Sequence, residues 1–407
     1  MRADGSLPGV SAADAHDRIV LHVDNDCFYA SCERLRDPVL VDEPVIVGMG
    51  FEPGSDGGAV ATASYEARDH GVQSAQAISE AMERLPPRSQ VDTDIGGPTA
   101  HYRPVDMSYY QECAAEVRAI LDEFADIRRS VSIDEAYLDC TEQTTWEAAA
   151  SYARDVQSRI DAELGLPVSI GVGPNMAVAK IASDHDKPHG LVVVQPEEVS
   201  DFLSPLPIDD LHGVGPVTSR TLREQGMERV GDIALADRQS LVDRFGERGG
   251  ELHDRARGID RRPVTPRGKP KSLSRESAFG EPTDDHATIA SRIEELAIAV
   301  AERATARGAT YRTIGIKIVT PPFEIHTRER SLPGPVDDPG LVEDTAMDLL
   351  EEFQDHTVRK AGVRVSNLSF SEGDQTRLGN WAGNSQDESW EGHRGSQVSL
   401  SEFSSDQ

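Results

Sequence analysis

The 407-residue sequence is poor in cysteine, lysine and aromatic residues, and it has no long apolar run. Because no stretch approaches 18 consecutive apolar residues, a membrane span is excluded. The first 17 residues lack the apolar core of a secretory signal, so we expect a cytoplasmic protein. The four cysteines show no C-x-x-C pair and no histidine spacing typical of zinc sites, which predicts free, partly buried thiols.

Lysine supplies only six of the 41 basic residues, while Asp and Glu together number 71, so the formal net charge is -30. The acidic residues are spread over every segment and are not gathered in a tail. Since concentrated salt screens repulsion between surface carboxylates, this pattern favours a protein of a salt-accumulating cytoplasm. An acidic protein from an ordinary cytoplasm is the alternative that the composition leaves open.

The length predicts two to four domains, and the residue pattern changes along the chain. Strand and helix patterns mix up to about residue 195. Residues 196–262 then have the short helices and glycine turns of a small all-helical module. A basic, Pro-rich stretch follows and is typical of an extended linker, and after it comes an α+β pattern that ends near residue 371.

Three carboxylates stand in apolar surroundings, where an uncompensated charge is costly. Asp24 follows a strand-like run at 19–23, and Asp134 and Glu135 lie within a second apolar stretch. Carboxylates from two adjacent strand ends suit Mg²⁺, and a pair of such ions would serve an in-line phosphoryl displacement. From the pattern alone, a structural strand end beside an ordinary acidic turn is an equally good interpretation.

Four segments resemble, in order and approximate spacing, the motifs of the Y-family translesion DNA polymerases, closest to the DinB (DNA polymerase IV) branch. They are VDNDCFYASCE at 23–33, ATASYEAR at 61–68, SIDEAYLD at 132–139 and KIASDHDKP at 180–188. The resemblance spans about residues 18–370, and four linked motifs are far more specific than any one. Together with the acidic composition, it indicates a protein of a halophilic archaeon.

The resemblance implies a low-fidelity, template-directed DNA polymerase that performs translesion synthesis by two-metal transfer of a nucleotide to a primer 3′-hydroxyl. The implied partners are primer–template DNA and deoxynucleoside triphosphates, and we expect a monomer without membrane association. A nucleotidyl cyclase and a catalytically silent DNA-binding scaffold are the rival hypotheses. The helical module and basic linker argue against the cyclase, and the retained carboxylates argue against the scaffold.

The implied fold is α+β and multidomain, a right-hand polymerase with a ferredoxin-like palm sheet, small fingers, a helix-hairpin-helix thumb and an α+β little finger. The expected boundaries are a disordered leader at 1–17, palm at 18–29 and 91–195, fingers at 30–90, thumb at 196–262, basic linker at 263–272, little finger at 273–371 and a disordered tail at 372–407.

The resemblance also assigns site residues. Asp24, Asp134 and Glu135, with the backbone carbonyl of Asn25, are expected to hold two Mg²⁺ ions. Tyr29 matches the steric gate, whose ring excludes a 2′-hydroxyl; without the motif it would be read as a core aromatic residue. The triphosphate-binding group, which supplies hydroxyl and cationic donors, is expected to be Thr62, Tyr65, Arg68 and Lys187.

Several contacts to DNA and to a clamp are expected. Gly213 and Gly215 resemble the hairpin of a helix-hairpin-helix motif, where backbone amides can bind phosphate; a plain glycine turn is the alternative. The expected cationic contacts are Lys269, Lys271, Arg275 and Arg330. In the tail, the spacing of Gln397, Leu400 and Phe403 resembles the peptide that docks into sliding clamps.

Two features depart from the family pattern. Residues 94–103 look like a loop insertion ahead of the helix that begins near Met107. Asp106 lies near a position where relatives commonly have a basic residue, which puts in doubt a basic contact to the triphosphate from that helix.

Overall fold

A computed structural model of the chain describes residues 18–90 and 97–370. The expected leader and tail, including the clamp-like peptide, lie outside these residues. The described residues divide into one unit that ends at Arg267 and a second that begins at Gly268. Across 18–90 and 97–370, no helix is both long and apolar enough to cross a membrane. All four cysteines are unpaired, as the sequence predicts, and they are fully rather than partly buried.

The first unit contains three kinds of substructure, namely a five-stranded sheet, a three-stranded sheet and a set of short helices. Its strands are β1 (Val20–Asn25), β2 (Val45–Met49), β3 (Ala59–Ala63), β4 (His101–Pro104), β5 (Ile127–Ser130), β6 (Glu135–Asp139), β7 (Val168–Gly173) and β8 (Leu191–Val193). Its α-helices are α1 (Phe28–Arg36), α2 (Tyr65–Asp69), α3 (Ile78–Arg84), α4 (Met107–Phe124), α5 (Ala149–Leu164), α6 (Met176–His185), α7 (Val199–Leu203), α8 (Pro216–Glu224), α9 (Val230–Leu235), α10 (Arg238–Phe245) and α11 (Glu247–Ala256).

The five-stranded sheet has the order β5-β6-β1-β7-β8, and β1 is antiparallel to both of its neighbours. This is the ferredoxin-like order with β8 added at one edge. Because side chains alternate along a strand, Leu21 and Val23 enter the core formed with α4 and α5, while Val20 packs with Met176 of α6 on the opposite face. All six residues of β1 are buried, including the polar residues His22, Asp24 and Asn25.

Helix α6 lies unusually close to the sheet because β7 contains glycine where the helix crosses it. A Cβ atom at Gly171 would lie 2.1 Å from the Ala179 oxygen and 2.2 Å from the Ser183 nitrogen. Such contacts are far inside van der Waals range, so a larger residue would push the helix away. Gly171 therefore sets the distance between α6 and the sheet, and with it the distance between Lys180 and β1.

The three-stranded sheet has the order β3-β2-β4, with β4 parallel to β2. The sequence-based expectation of a loop across 94–103 was wrong at its end, since β4 begins at His101. This strand has only four residues, and Tyr102 is buried and donates a hydrogen bond to the Leu85 oxygen. Its conformation depends on pairing with β2, which a short local pattern cannot reveal.

The short helices α7–α11 enclose their own apolar core, which includes Leu203, Leu211, Leu222 and Leu252. Val178 and Ile181 of α6 belong to the same cluster, so this module is joined to the five-stranded sheet through α6. Gly213 lies in the short segment that joins the turn at Ile208–Asp210 to the start of α8. The helical module and the five-stranded sheet therefore share one structural element, α6.

The second unit is a four-stranded antiparallel sheet with two helices. Its elements are β9 (Ser272–Thr283), α12 (His286–Ala306), β10 (Ala309–Thr320), β11 (Glu324–Val336), α13 (Pro339–Leu350), β12 (Val358–Ser366) and a short β13 (Ser369–Phe370). The strand order is β11-β10-β12-β9. Alternate residues such as Ile314, Ile316 and Val363 form a core with both helices, which leaves the intervening positions on the other face of the sheet.

Candidate active site

The three predicted carboxylates lie at one end of two neighbouring strands. In the β1–β6 ladder Asp24 is directly opposite Glu135, and Asp134 is the residue just before β6. The backbone nitrogen of Asn25 donates to the Asp134 oxygen at 3.0 Å, and its side-chain nitrogen donates to the same oxygen at 2.8 Å. The structure therefore brings Asp24, Asn25, Asp134 and Glu135 together, although 109 residues separate Asn25 from Asp134.

Two lysines contact this group of residues, Asp24, Asn25, Asp134 and Glu135, which we call the acidic centre. The Lys180 nitrogen lies 3.1 Å from Asp24 and 2.6 Å from Glu135, and the Lys187 nitrogen lies 2.6 Å from Asp24. Asp184 pairs with both lysines, at 3.1 and 3.0 Å. Counting Asp134, four carboxylates face two ammonium groups, so the cluster keeps an excess of negative charge.

The carboxylates of the acidic centre differ in their affinity for protons. Burial acts to raise the pKa of Asp24, but Lys180 and Lys187 overcome it and hold the pKa well below its ordinary value. Burial raises the pKa of Asp134, and the Asp24 charge adds to the effect. Burial raises the pKa of Glu135 to about 7, even though Lys180 opposes it. The lysines therefore do not fully compensate the buried charge.

The donor set fits hard divalent cations, which prefer oxygen ligands and remove surplus negative charge. The side-chain oxygen of Asn25 is buried and has no hydrogen-bond partner, so an oxygen is available in this centre beside the three carboxylates. In the part of the chain that is described, no three acidic, histidine or cysteine side chains stand as a ready-made metal cluster. In the arrangement seen, lysine nitrogens lie against the carboxylate oxygens.

Lys180 has a place in the site that the sequence did not assign. It lies within the fourth motif, and its spacing to Asp184 on one helix face indicates an ion pair of the i, i+4 type. Its contacts to Asp24 and Glu135 cross 156 and 45 residues of sequence, so no local pattern could have revealed them.

Asp26 is a second residue that sequence reasoning left without a role. Its carboxylate accepts hydrogen bonds from the Tyr65 hydroxyl at 3.0 Å, from the Ser169 hydroxyl at 2.8 Å and from the His189 backbone at 2.8 Å. Burial nevertheless raises its pKa. Asp26 therefore ties Tyr65 and the segment that carries Lys187 to the end of β1.

Tyr29 lies on α1 beside the acidic centre. Burial raises the pKa of its hydroxyl, and the charge of Asp134 contributes in the same direction. Its ring stacks on Tyr110 with centroids 4.5 Å apart and an interplanar angle of 13°. Tyr110 is fully buried and donates a hydrogen bond to Glu33 at 2.8 Å. The backing ring thus limits how far Tyr29 can recede from the site.

The predicted triphosphate group comes from β3, α2 and the segment after α6. Thr62 lies on β3, three residues before Tyr65, which begins α2. The Arg68 guanidinium lies 4.8 Å from the centre of the Tyr65 ring and donates to the Ala63 oxygen. Tyr65 and Lys187 are linked through the end of β1, because Tyr65 contacts Asp26 and Lys187 contacts Asp24. Within residues 18–90 and 97–370, Thr62 forms no hydrogen bond with the other three members of the group.

Asp106, the departure from the family pattern, has a structural explanation. It begins α4, where its side chain accepts a hydrogen bond from the Tyr109 nitrogen at 3.2 Å. It also pairs with Arg36 at 2.8 Å, and these bonds lower its pKa to about 2. The Arg36 guanidinium lies 3.9 Å from the centre of the Tyr109 ring. Asp106 therefore serves as a helix cap in this chain.

The glycine hairpin of the helical module is held by arginines of α11. Gly213 has φ +101°, a conformation that favours glycine, and a Cβ there would lie 2.7 Å from Arg255. Arg248 donates to the Gly213 oxygen and Arg255 to the His212 oxygen. Gly215 caps the start of α8, and a Cβ there would meet nothing within 4 Å. The backbone at Gly215 is open to a close approach.

The four predicted DNA-contact cations of the second unit differ in position. Arg330 is opposite Ile314, on the face that carries the helices, and pairs with Asp348 at 2.9 Å. Arg275 is opposite Val363 and so has the same orientation. Lys269 lies 5.0 Å from the centre of the Phe370 ring, and Lys271 is exposed just before β9.

The other face of this sheet, which we call the open face, also carries cations, of which the sequence suggested Lys360 and Arg364 as DNA contacts but not Lys317. They occupy the alternate positions of β10 and β12, namely Lys317, Lys360 and Arg364. The available signal in the sequence was the alternation of side chains along the predicted strands. Alternation alone does not show on which face of the sheet each residue lies, because that depends on the strand register.

Comparison with known proteins gives consistent matches. The chain matches the impB/mucB/samB family over residues 23–184, the C-terminal domain of that family over 270–378, and the HHH motif of the IMS family over 196–226. A DNA polymerase IV of Halobacterium salinarum is 55% identical over 383 residues, which cover 94% of this chain and 92% of the relative.

Solved structures agree with these sequence matches. A Y-family DNA polymerase chimera superposes with a TM-score of 0.76 at 29% identity, covering 87% of this chain and 100% of that chain. The insertion ternary complex of Dbh DNA polymerase has a TM-score of 0.61 at 28% identity, with the same coverage.

Proposed function

This chain belongs to the impB/mucB/samB family, the Y-family DNA polymerases, and from this premise we propose which of its residues carry the reaction. It is a DNA-directed DNA polymerase that performs translesion synthesis, a metal-dependent nucleotidyltransferase acting on DNA and deoxynucleoside triphosphates. The finer assignments are the metal ligands, the nucleotide contacts, the DNA contacts and the clamp. The observation that carries the metal-site assignment is the meeting of Asp24, Asp134 and Glu135 at one end of two neighbouring strands.

We assign two Mg²⁺ ions to the acidic centre, with Asp24, Asp134, Glu135 and the Asn25 carbonyl as ligands. The excess of carboxylates over lysines supports this assignment, and the unpartnered side-chain oxygen of Asn25 is a further oxygen beside the proposed carbonyl ligand. The ions supply a lowered pKa for the primer 3′-hydroxyl and stabilise the charge of the leaving pyrophosphate. Asp24 would be available as an ionised ligand, since Lys180 and Lys187 hold its pKa well below its ordinary value.

The protein's own cations complete the charge balance for the triphosphate. Lys187 is held beside Asp24, and Arg68 projects from α2 on the side of Tyr65. Asp26 holds the Tyr65 hydroxyl and the backbone at His189, so it positions both cationic segments without contacting substrate. Preorganised donors of this kind stabilise charge on a leaving pyrophosphate without reorganising during the reaction.

Tyr29 is the proposed steric gate. Its ring lies between the acidic centre and the ring of the buried Tyr110. The Tyr110 hydroxyl donates a hydrogen bond to Glu33, which keeps the Tyr110 ring in place. A ribose 2′-hydroxyl placed over Tyr29 therefore meets a ring with no space behind it. Sugar selection then rests on repulsion and needs no hydrogen bond to the 2′ position.

DNA is proposed to contact the glycine hairpin and the open face. The backbone at Gly215 can approach a phosphate closely, and Gly213 is proposed as a contact in the same hairpin. Lys269 and Lys271 lie between the hairpin and β9 in the sequence. Arg275 and Arg330 remain proposed DNA contacts. They lie on β9 and β11, the two outer strands of the sheet, so DNA would reach them at its edges. Lys317, Lys360 and Arg364 join them on the open face.

A sliding clamp is the proposed protein partner, through Gln397, Leu400 and Phe403 of the tail. Tethering of this kind raises the local concentration of primer ends without a new active-site contact. We further propose that the chain acts as a monomer and, because its substrate is DNA, that it works in the cytoplasm.

Primer extension by Asp134→Asn tests the assigned centre. The variant should bind primer–template DNA with unchanged affinity and lose extension by about two orders of magnitude or more, as expected when a group that stabilises the transition state is removed. Asp139→Asn is the control: Asp139 ends β6, which follows Asp134, but it is bonded to Thr141, so this variant should extend normally. Extension by Asp134→Asn at the control's rate would remove Asp134 from the metal site.

A further inference from the structure

The open face contains one acidic residue at its centre. Glu276 of β9 is opposite Gly362 of β12, and a Cβ at Gly362 would lie 2.6 Å from the Glu276 Cγ. The Glu276 side chain therefore lies flat across the neighbouring strand, over the glycine. Its carboxylate reaches Lys360 at 2.6 Å on that strand and Lys317 at 3.1 Å on the next one.

This ion bridge spans three strands and is largely shielded from water. The side chain of Glu276 is 16% exposed, and those of Lys317 and Lys360 are 25% and 22% exposed. Burial acts to raise the pKa of Glu276, but the two lysines lower it overall, so the residue is ionised wherever the polymerase works. One carboxylate therefore satisfies two of the three cations on the face that is proposed to meet DNA.

A second glutamate on the same face provides a natural comparison. Glu329 of β11 is opposite Gly315, and a Cβ at Gly315 would lie 2.8 Å from the Glu329 Cγ. Glu329 thus lies over a glycine of its neighbouring strand as Glu276 does. It is exposed, and the lysine bridge described for Glu276 does not include it.

We propose that Glu276 is an internal competitor for DNA phosphate, which holds Lys317 and Lys360 until DNA binds and so limits the affinity and the salt sensitivity of the open face. A phosphate that approaches either lysine must replace part of an existing ion pair, and it does so beside a carboxylate of its own sign. When DNA leaves, the lysines return to Glu276. This inference rests on the proposed contact between the open face and DNA.

The physical consequence is a measurable change in salt dependence. Each phosphate that a protein neutralises contributes about -0.9 to the slope of log K against log salt concentration. Removing the Glu276 charge frees about one net cation for phosphate, so the slope should steepen by about 0.9. The repulsion between one carboxylate and a phosphate about 5 Å away in water corresponds to roughly a fourfold change in Kd. Glu276→Gln removes this repulsion, so it should bind DNA about fourfold more tightly at low salt.

The test is fluorescence anisotropy of the full-length protein with a labelled primer–template duplex, over a series of KCl concentrations. Glu276→Gln keeps the shape of the side chain and an oxygen that accepts hydrogen bonds from lysine. It is compared with Glu329→Gln, which removes the same charge from the same face outside the bridge. Tighter binding and a steeper slope in Glu276→Gln, with clearly smaller changes in Glu329→Gln, support the proposal.

Four results overturn it. Equal changes in both variants would mean that only net charge matters. A lower melting temperature of Glu276→Gln with unaltered DNA affinity and slope would make the bridge a purely structural staple. Arg364→Gln separates the two levels of the argument: if it binds DNA as well as wild type, the open face does not contact DNA and both proposals fail. If Arg364→Gln weakens binding while Glu276→Gln does not strengthen it, only the competitor role fails.

Discussion

Replacing Glu135 by glutamine should stabilise the metal-free protein while it destroys activity. Burial raises the pKa of Glu135 to about 7, against an ordinary value of 4.5. Because the folded state holds this proton more tightly than the unfolded state, the stability from Glu135 is complete below about pH 4.5 and is lost as the pH rises through about 7. The gap between the two pKa values corresponds to about 3 kcal/mol of unfolding free energy.

Glutamine cannot ionise, so it removes this loss while it keeps an oxygen for Lys180. Lys180 also retains Asp24 and Asp184, each at 3.1 Å. In EDTA at about pH 8, Glu135→Gln should therefore be more stable than wild type by up to about 3 kcal/mol, and its stability should change less between about pH 5 and pH 8. Urea denaturation followed by circular dichroism measures both quantities.

Magnesium should reverse the order of stability. A ligand that binds only the folded state stabilises it in proportion to the logarithm of its concentration over Kd, so MgCl₂ should raise the stability of wild type more than that of the variant. Asp139→Asn serves as the control on β6. If Glu135→Gln proved less stable than wild type in EDTA at high pH, or if both showed the same pH dependence, the described electrostatics of the acidic centre would be refuted.

Three further outcomes are expected. Tyr29→Ala should raise ribonucleotide incorporation relative to deoxynucleotide by about two orders of magnitude while Tyr29→Phe should not, and unchanged sugar selectivity in single-nucleotide assays would remove the gate assignment. Lys187→Ala should lower kcat/KM for the incoming nucleotide by about 10²-fold or more with no loss of DNA affinity, and a normal kcat/KM would show that Lys187 does not serve the triphosphate. Deleting residues 397–407 should abolish stimulation by a sliding clamp and leave basal extension intact; reduced basal extension would mean that the tail has another role.

Helices with strong local signals were predictable from the sequence. The helix expected to begin near Met107 is α4, because Asp106 caps its start and its apolar residues repeat with helical spacing. The buried run that forms β1 was equally clear, and it ends in the acids expected there. In contrast, β3 and β4 were not predicted, since these short strands are stabilised by pairing with β2.

The chemistry-bearing residues of the site were read from four motifs, and their amino-acid types limited what they could do. Three carboxylates in apolar surroundings need a counter-charge, whichever fold surrounds them. The sequence could not show that Lys180 supplies part of it, because that contact depends on how closely α6 approaches β7 at Gly171. Nor could it show that Asp26 anchors Tyr65 and His189.

What the sequence alone determined is therefore the inventory: which strands are buried, which helices form, which acids need compensation, and the family. The tertiary structure decided orientation, placing Arg330 against Asp348 and Lys317 against Glu276 on opposite faces of one sheet. The physical reason is that alternation fixes only which residues share a face, while the pairing register and the helices packed on one side decide which face meets solvent.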